Sequence, residues 1–378
     1  MKKNSLLVGI ILTMGFLASR VPVFEAQGNS VGQREDGKKL FERETFGGNG
    51  RTCLTCHSLD TGTVSPADAL ARFQKNPQDP LFLHDGSDDG LGHGVSRMLQ
   101  DATILITIPL PPNVTLKDDP NARSVTLRRG IPTTLNTPSL DPVLMLDGRA
   151  PTLMAQADDA IRGHAQNTQT PGATDLLRIV QFQVTDDFFS SRTLRDFARG
   201  GLNPVLPEGT TDSEKRGRVF FEDRPFDPAN PKPGLCASCH SGPLLNEMNS
   251  FNPPAFKGER FQSVGVSEIN AMGNPVRTFI FDGTTEVISP DPGRALITGR
   301  LDDFDPIVGP LFNSRNAFKI PILRGVAKTA PYFHDNSAKT LEDVAAHYAF
   351  FFNIVTGGLI DFSDQDQKDM VAFMKLLD

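Results

Sequence analysis

Two short runs carry the chemistry in this sequence: Cys53-Leu54-Thr55-Cys56-His57 and Cys236-Ala237-Ser238-Cys239-His240. Each sets two thiols three positions apart and a histidine directly after the second. That is the pattern that attaches haem c. The thiols add across the two vinyl groups of one porphyrin, and the histidine is carried under the iron as its proximal ligand. Other uses of the pattern fit less well. A redox dithiol does not require the following histidine and gives no reason for a second copy. A zinc ribbon places its two pairs roughly 15 to 20 residues apart, whereas these lie 183 apart. The four cysteines are all used, so none is left for the disulfides an exported chain would otherwise suggest. The spacing predicts two covalent haem c groups, one in each half, with His57 and His240 as iron ligands.

The group on the far side of each iron decides what the iron does. A strong protein ligand makes an electron-transfer haem, and an open position admits peroxide or oxygen. Candidates are His84, His93, His164, His334, His347, nine methionines and two tyrosines. The run Thr340 to Phe352 (TLEDVAAHYAFFF) reads as a helix with Thr340 as its cap. Leu341, Val344, Tyr348 and Phe352 fall on one apolar stripe, while His347 lies about 100° away beside Asp343. An apolar face turned toward a haem makes Tyr348 the leading ligand candidate. The alternatives are a core tyrosine with an ordinary hydrogen bond, ligation by His347, or a methionine from elsewhere.

The elements that must position these groups are short. Glu35 to Phe46 has a helical pattern, broken by Gly47-Gly48-Asn49-Gly50. Asp212-Ser213 can cap a helix through Lys215 to Phe221, ahead of the second haem motif. Ser363-Asp364 can cap a last helix whose apolar residues run from Met370 to Leu377. Gly200 to Thr211 reads as a linker. Few segments alternate convincingly at period two, and 33 Gly with 29 Pro favour loops. The expected fold is mainly α, two cytochrome c-like haem domains with long loops, related by duplication. Their bounds are 28–205 and 206–378. A net charge of −7 gives no basic footprint for nucleic acid. At the start, Lys2-Lys3 precede an apolar run from Leu6 to Ala18 that is too short to span a bilayer. Residues 1–27 are expected to be a secretory signal, cleaved near Phe24-Glu25-Ala26, giving a periplasmic protein with no stable membrane span. A retained anchor is the alternative.

Four blocks together resemble the bacterial dihaem cytochrome c peroxidase superfamily, including its MauG-like branch. They are Cys53 to His57, Arg129 to Gln156, Cys236 to Leu244 (CASCHSGPL), and Phe318 to Tyr348 (FKIPILRGVAKTAPYFHDNSAKTLEDVAAHY). The resemblance implies that the N-terminal haem meets peroxide and the C-terminal haem stores and relays electrons. It puts Tyr348 where the peroxidases have a ligating methionine and the MauG-like enzymes a tyrosine. It implies a calcium ion held by Asn136, Thr329 and Pro331. It matches Gln156 to a glutamine lining the peroxide pocket, and it sets the family's acid-base glutamate at Gln166. A glutamine cannot move protons, so His164, two residues away, is the expected substitute. No histidine precedes Arg128-Arg129, which favours an open first haem. The relay tryptophan is missing and Leu146 stands in its place. The segment Ala67 to Lys117, with Ile104 to Pro109, falls outside the match, and His84 and His93 are expected to decorate its Asp/Gly-rich part. The expected partner is a small cytochrome or copper protein that donates electrons, or a protein substrate. The expected function is peroxide reduction or MauG-like oxidation of a protein, with a non-enzymatic electron carrier as the alternative.

Overall fold

A computed structural model describes residues 31–251, 260–301 and 315–378. The apolar run Leu6 to Ala18 and the Phe24-Glu25-Ala26 region lie outside the described residues. Among those described, no helix is long and apolar enough to cross a membrane.

The first helix, Val31–Arg43, turns Phe41 inward against Phe182 and Phe188. The three rings meet edge to face at 5.2 to 5.5 Å, a geometry worth about 0.5–1.5 kcal/mol per pair beyond the buried area. This helix crosses the helix Ala173–Gln183 at Gly37, where a Cβ would stand 2.3 Å from the Arg178 carbonyl oxygen. The second half repeats the device. Helix Asp212–Arg218 crosses helix Asp364–Met374 at Gly217, where a Cβ would stand 1.9 Å from the Asp369 carbonyl oxygen. The first helix of each crossing precedes a Cys-x-x-Cys-His run in the chain, and each crossing backs onto an apolar cluster that touches the first cysteine of that run, Cys53 or Cys236. The glycine lets the backbones approach until a neighbouring side chain can seal the gap.

The caps follow the sequence closely. Thr340 and Ser363 each accept from the amide three residues on, and Asp343 and Asp366 reach back to complete the boxes. Before the second haem motif the cap is Thr211, boxed with Glu214, one residue ahead of the expected Asp212-Ser213. Residues 201–209 carry no helix or strand. The buried Arg324 holds this stretch by donating to the carbonyl oxygens of Pro204 at 3.2 Å and Val205 at 3.1 Å.

The structure adds seven strands in three small antiparallel sheets among the described residues. Thr103–Pro109 pairs with Ser124–Gly130 so that Ile104, Ile106 and Ile108 all face inward. The alternation is present in the residues that fell outside the family match. A second sheet joins Val114–Leu116 to Arg277–Phe281 and Thr285–Ser289. Phe279, Phe281 and Val287 are fully buried there, so residues from both halves of the sequence build one core. The chain therefore combines helices that flank its cysteine motifs with short strands at 103–130 and 261–319.

Candidate functional site

Both histidines of the haem motifs are oriented in the same way. His57 Nδ1 donates to the Gly62 carbonyl oxygen at 2.8 Å, and His240 Nδ1 donates to that of Leu245 at 2.8 Å. Each acceptor lies five residues downstream. The bond fixes the tautomer and leaves Nε2 as the nitrogen free for iron. Burial lowers both imidazoles below the usual histidine value, His240 to about 4, although the two carbonyls act in the opposite sense. Neutral imidazole is the form that ligates. Burial pushes the thiols of Cys53, Cys236 and Cys239 up to about 12. None is therefore a poised thiolate of the redox-dithiol kind.

The first motif opens onto a largely apolar cleft. Cys53, Cys56 and His57 form one wall. Another part of the lining is the helix Leu153–His164, started by Thr152, whose hydroxyl accepts from the Ala155 amide. Gln156, Ala160 and His164 recur every four residues along its inner face. The Gln156 amide has no hydrogen-bond partner among the described residues, so it is available to a molecule in the cleft. His164 Nδ1 pairs with Asp85 Oδ2 at 2.5 Å, which leaves Nε2 as its open nitrogen. Arg51 binds the other oxygen of Asp85. Asp85 comes from the Asp/Gly-rich loop, and no periodicity or spacing relates it to His164.

The remaining expected residues are placed as follows. Gln166 is exposed beyond the end of the helix, outside the cleft lining, and its amide oxygen accepts from Asn49 at 3.1 Å. His93 pairs with Asp89 on the surface at 2.7 Å, and His84 does not line the cleft. Leu146 does line it, as does Met145 in a left-handed conformation with φ of 66°. Lys319 also reaches the lining, but its ammonium is held by Asp141 at 2.8 Å.

At the second motif Tyr348 stands beside the thiols. Burial, and then Cys239 and Cys236, hold its phenol well above the usual tyrosine range. Its hydroxyl has no hydrogen-bond partner among the described residues, whereas the hydroxyl of Tyr332, the other tyrosine, donates to the Val326 carbonyl oxygen at 3.0 Å. The competing ligands are engaged elsewhere. His347 Nε2 donates to the Val264 carbonyl oxygen at 2.7 Å. Met248 packs beside Cys239, and its sulfur accepts from Gln262 at 3.1 Å.

Asn136 is fully buried with φ of 64°. Its Oδ1 accepts from the Ser190 amide at 2.9 Å, and its Nδ2 donates to the Arg324 carbonyl oxygen at 2.9 Å. The carbonyl oxygens of Thr329 and Pro331 accept no hydrogen bond among the described residues. Carbonyl and amide oxygens of this kind are the hard donors that calcium takes.

A series of side chains, joined at one step by the backbone link between Phe333 and His334, leads from the cleft toward Tyr348. Arg129 lines the cleft and lies over Phe318 at 5.3 Å. Phe318 stacks on His334 at 3.7 Å, and Phe333, next in the chain, meets Tyr348 at 6.2 Å.

No family profile matches the chain. It is 30% identical over 146 residues to a cytochrome c551 peroxidase of Nitrosomonas europaea, covering 38% of this chain and only 30% of that protein's length. It is 26% identical over 283 residues to the methylamine utilization protein MauG of Methylophilus methylotrophus, covering 68% of this chain and 70% of the relative. Among solved structures, a MauG-like protein associated with microbial copper homeostasis superposes with a TM-score of 0.50 at 20% identity, over 95% of this chain and 91% of the other, which shows a shared fold. In sequence the chain is similar to bacterial dihaem cytochrome c peroxidases and MauG-like proteins, and these relatives support that superfamily.

Proposed function

We propose that this is an exported dihaem oxidoreductase that reduces hydrogen peroxide in the cleft over His57, with electrons arriving through the site of His240 and Tyr348. The observation that carries the reading is the inequality of the two sites. Over His57 stand an unengaged amide, Gln156, and an imidazole held by a carboxylate, His164. Beside His240 stands a phenol with no protein partner. When bound, the two haems supply the redox chemistry, passing the two electrons that, with two protons, convert hydrogen peroxide to two waters. Gln156 donates from its amide to hold the oxidant. His164 takes a proton at Nε2 from one peroxide oxygen and returns it to the other as the O–O bond breaks, a task suited to an imidazole near neutral pH. The series Phe318, His334, Phe333 and Tyr348, with a backbone link between His334 and Phe333, offers a route where the relay tryptophan is missing. The electron donor is a small cytochrome or copper protein, or a protein substrate that is itself oxidised as in the MauG-like branch. Two domains, 28–205 and 206–378, each built on one glycine crossing, fit this division of labour, and removal of residues 1–27 on export to the periplasm completes it.

One observation favours a second reading. Met145 lines the cleft, and a thioether over the first iron would close it and leave a dihaem electron carrier. Electron paramagnetic resonance of the ferric protein separates the two. A high-spin signal that changes on adding peroxide is expected. Two low-spin signals that ignore peroxide would leave only the carrier.

The oxygens of Asn136, Thr329 and Pro331 support a bound calcium ion. Chelation is expected to lower unfolding stability, and restoring calcium at a hundred times its dissociation constant to return about 2.7 kcal/mol. An unfolding midpoint indifferent to chelator and to added calcium would remove the ion from the proposal.

A further inference from the structure

His164 sits at the end of its helix with a side chain about one-third exposed. An imidazole there has two ways to fail as a proton shuttle: its ring can turn away, or its proton can sit on the wrong nitrogen. Asp85 prevents both. Its Oδ2 accepts from Nδ1 at 2.5 Å, so the proton is on Nδ1 and the lone pair on Nε2. Its Oδ1 is taken by Arg51 Nη1. Arg51 is itself buried and immobilised, with Nε on the Pro80 carbonyl oxygen at 2.8 Å and Nη2 on that of Leu81 at 3.0 Å. The same guanidinium touches the His164 carbonyl oxygen at 3.3 Å, so it grips both ends of the pair. Gly86 is part of the device. A Cβ there would stand 1.9 Å from the Leu81 carbonyl oxygen and 2.6 Å from Arg51 Nη2.

We propose that Asp85, clamped by Arg51, is the positioning residue for His164, so that the proton machinery of the cleft is an Arg51–Asp85–His164 chain. The proposal rests on the reading of His164 as the proton shuttle. Arg51 lies two positions before Cys53, so the chain is tied to the haem attachment itself. Burial alone would raise the Asp85 carboxyl, but His164 and then Arg51 hold it below the usual value, so it is a carboxylate at neutral pH. The other charges nearby do not compete for it. Arg97 donates to the Asp85 main-chain oxygen at 2.8 Å, and Arg162, on the His164 helix, is paired with Asp158 at 2.8 Å. The simpler role is a buried ion pair that ties a loop to a helix and has no part in proton transfer.

Association of cyanide with the ferric holoprotein distinguishes these roles without turnover. At neutral pH the ligand arrives as hydrogen cyanide and must give up its proton to a base in the cleft. His164→Gln is expected to slow association about a hundredfold, within the range for a lost general base. Asp85→Asn is expected to slow it at least tenfold, Asp85→Glu to recover part of the loss, and the double variant to be no slower than His164→Gln alone. If His164→Gln is slow while Asp85→Asn matches the unaltered protein, the positioning role is overturned and the shuttle stands. If His164→Gln is also as fast as the unaltered protein, both fall. Should Asp85→Asn not fold, the nitrogen-15 spectrum of the reduced, carbon monoxide-treated protein decides. A protonated Nδ1 on His164 is expected, and a protonated Nε2 overturns the proposal.

Discussion

Tyr348→Phe will change the low-spin ferric resonance and leave the high-spin one where it was. The substitution removes one oxygen that has no hydrogen-bond partner among the described residues, so the fold should lose less than about 1 kcal/mol. The cost falls on the iron instead. A phenol buried against Cys236 and Cys239 resists ionisation, and a ferric ion is the partner that would make the phenolate worth forming. Without the anionic donor the ferric state is less favoured, and the potential of the second site should rise by on the order of 0.1 V within the roughly 0.8 V that axial ligation commands. His347→Ala is the control. Because its Nε2 is spent on Val264, that variant should keep the low-spin signal unchanged. Potentiometry with resonance spectra of both variants makes the comparison. If Tyr348→Phe keeps both signals and the potential, the ligand is another residue and the inequality of the sites needs another cause.

The parts of this molecule that are legible in its sequence are the parts set by neighbours in the chain. Cys-x-x-Cys-His is a five-residue requirement of covalent chemistry. The boxes at Thr340 and Ser363 are three-residue hydrogen-bond patterns. The stripe that brings Tyr348 toward the second motif is a helical period. What is not legible has no period. Asp85 and His164 meet across a loop and a helix 79 positions apart, and an aspartate in a Gly/Asp-rich run looks like any turn residue. Gln166, aligned with a catalytic glutamate by counting, falls past the end of a helix that stops at His164, and its side chain leaves the cleft. The strand Val114–Leu116 is three residues long and finds its partner at Arg277–Phe281. Only tertiary packing defines such a strand. The inward Ile104, Ile106 and Ile108 are the exception, a plain period-two signal within a segment that the family blocks did not cover.

Arg129→Met will destabilise the protein by about 3–5 kcal/mol, a large share of the 5–15 kcal/mol that holds a typical domain together. Arg129 is 1% exposed, and the two carboxylates that it joins, Asp147 and Asp291, are not exposed at all. It grips Asp291 with a two-pronged contact at 2.7 and 2.8 Å and Asp147 at 2.5 Å. Methionine fills much of the volume but leaves the buried negative charges without this partner. Arg149, at 2.9 Å from Asp147, relieves only one of them. The pH dependence should reverse with the substitution. In the unaltered protein burial would raise the Asp147 carboxyl, but Arg129 and Arg149 hold it below its ordinary value. That contribution to stability is present above the unfolded carboxylate value of about 3.9 and is lost as pH falls through the lower folded value. In Arg129→Met a buried carboxylate without its partner is pushed above 3.9, so the folded state binds the extra proton and the deficit shrinks as pH drops from 7 toward 4. Urea unfolding of both proteins across that range measures it. A deficit under about 1 kcal/mol, or one that does not change with pH, would mean that water or another cation reaches the carboxylates. The outcome also bears on function. Arg129 is the residue that touches both the cleft over His57 and the Phe318 ring leading to Tyr348. Its two carboxylates come from positions 147 and 291, one from each half of the sequence. An ion pair that ties the two halves together therefore also borders the route proposed above for electrons between them.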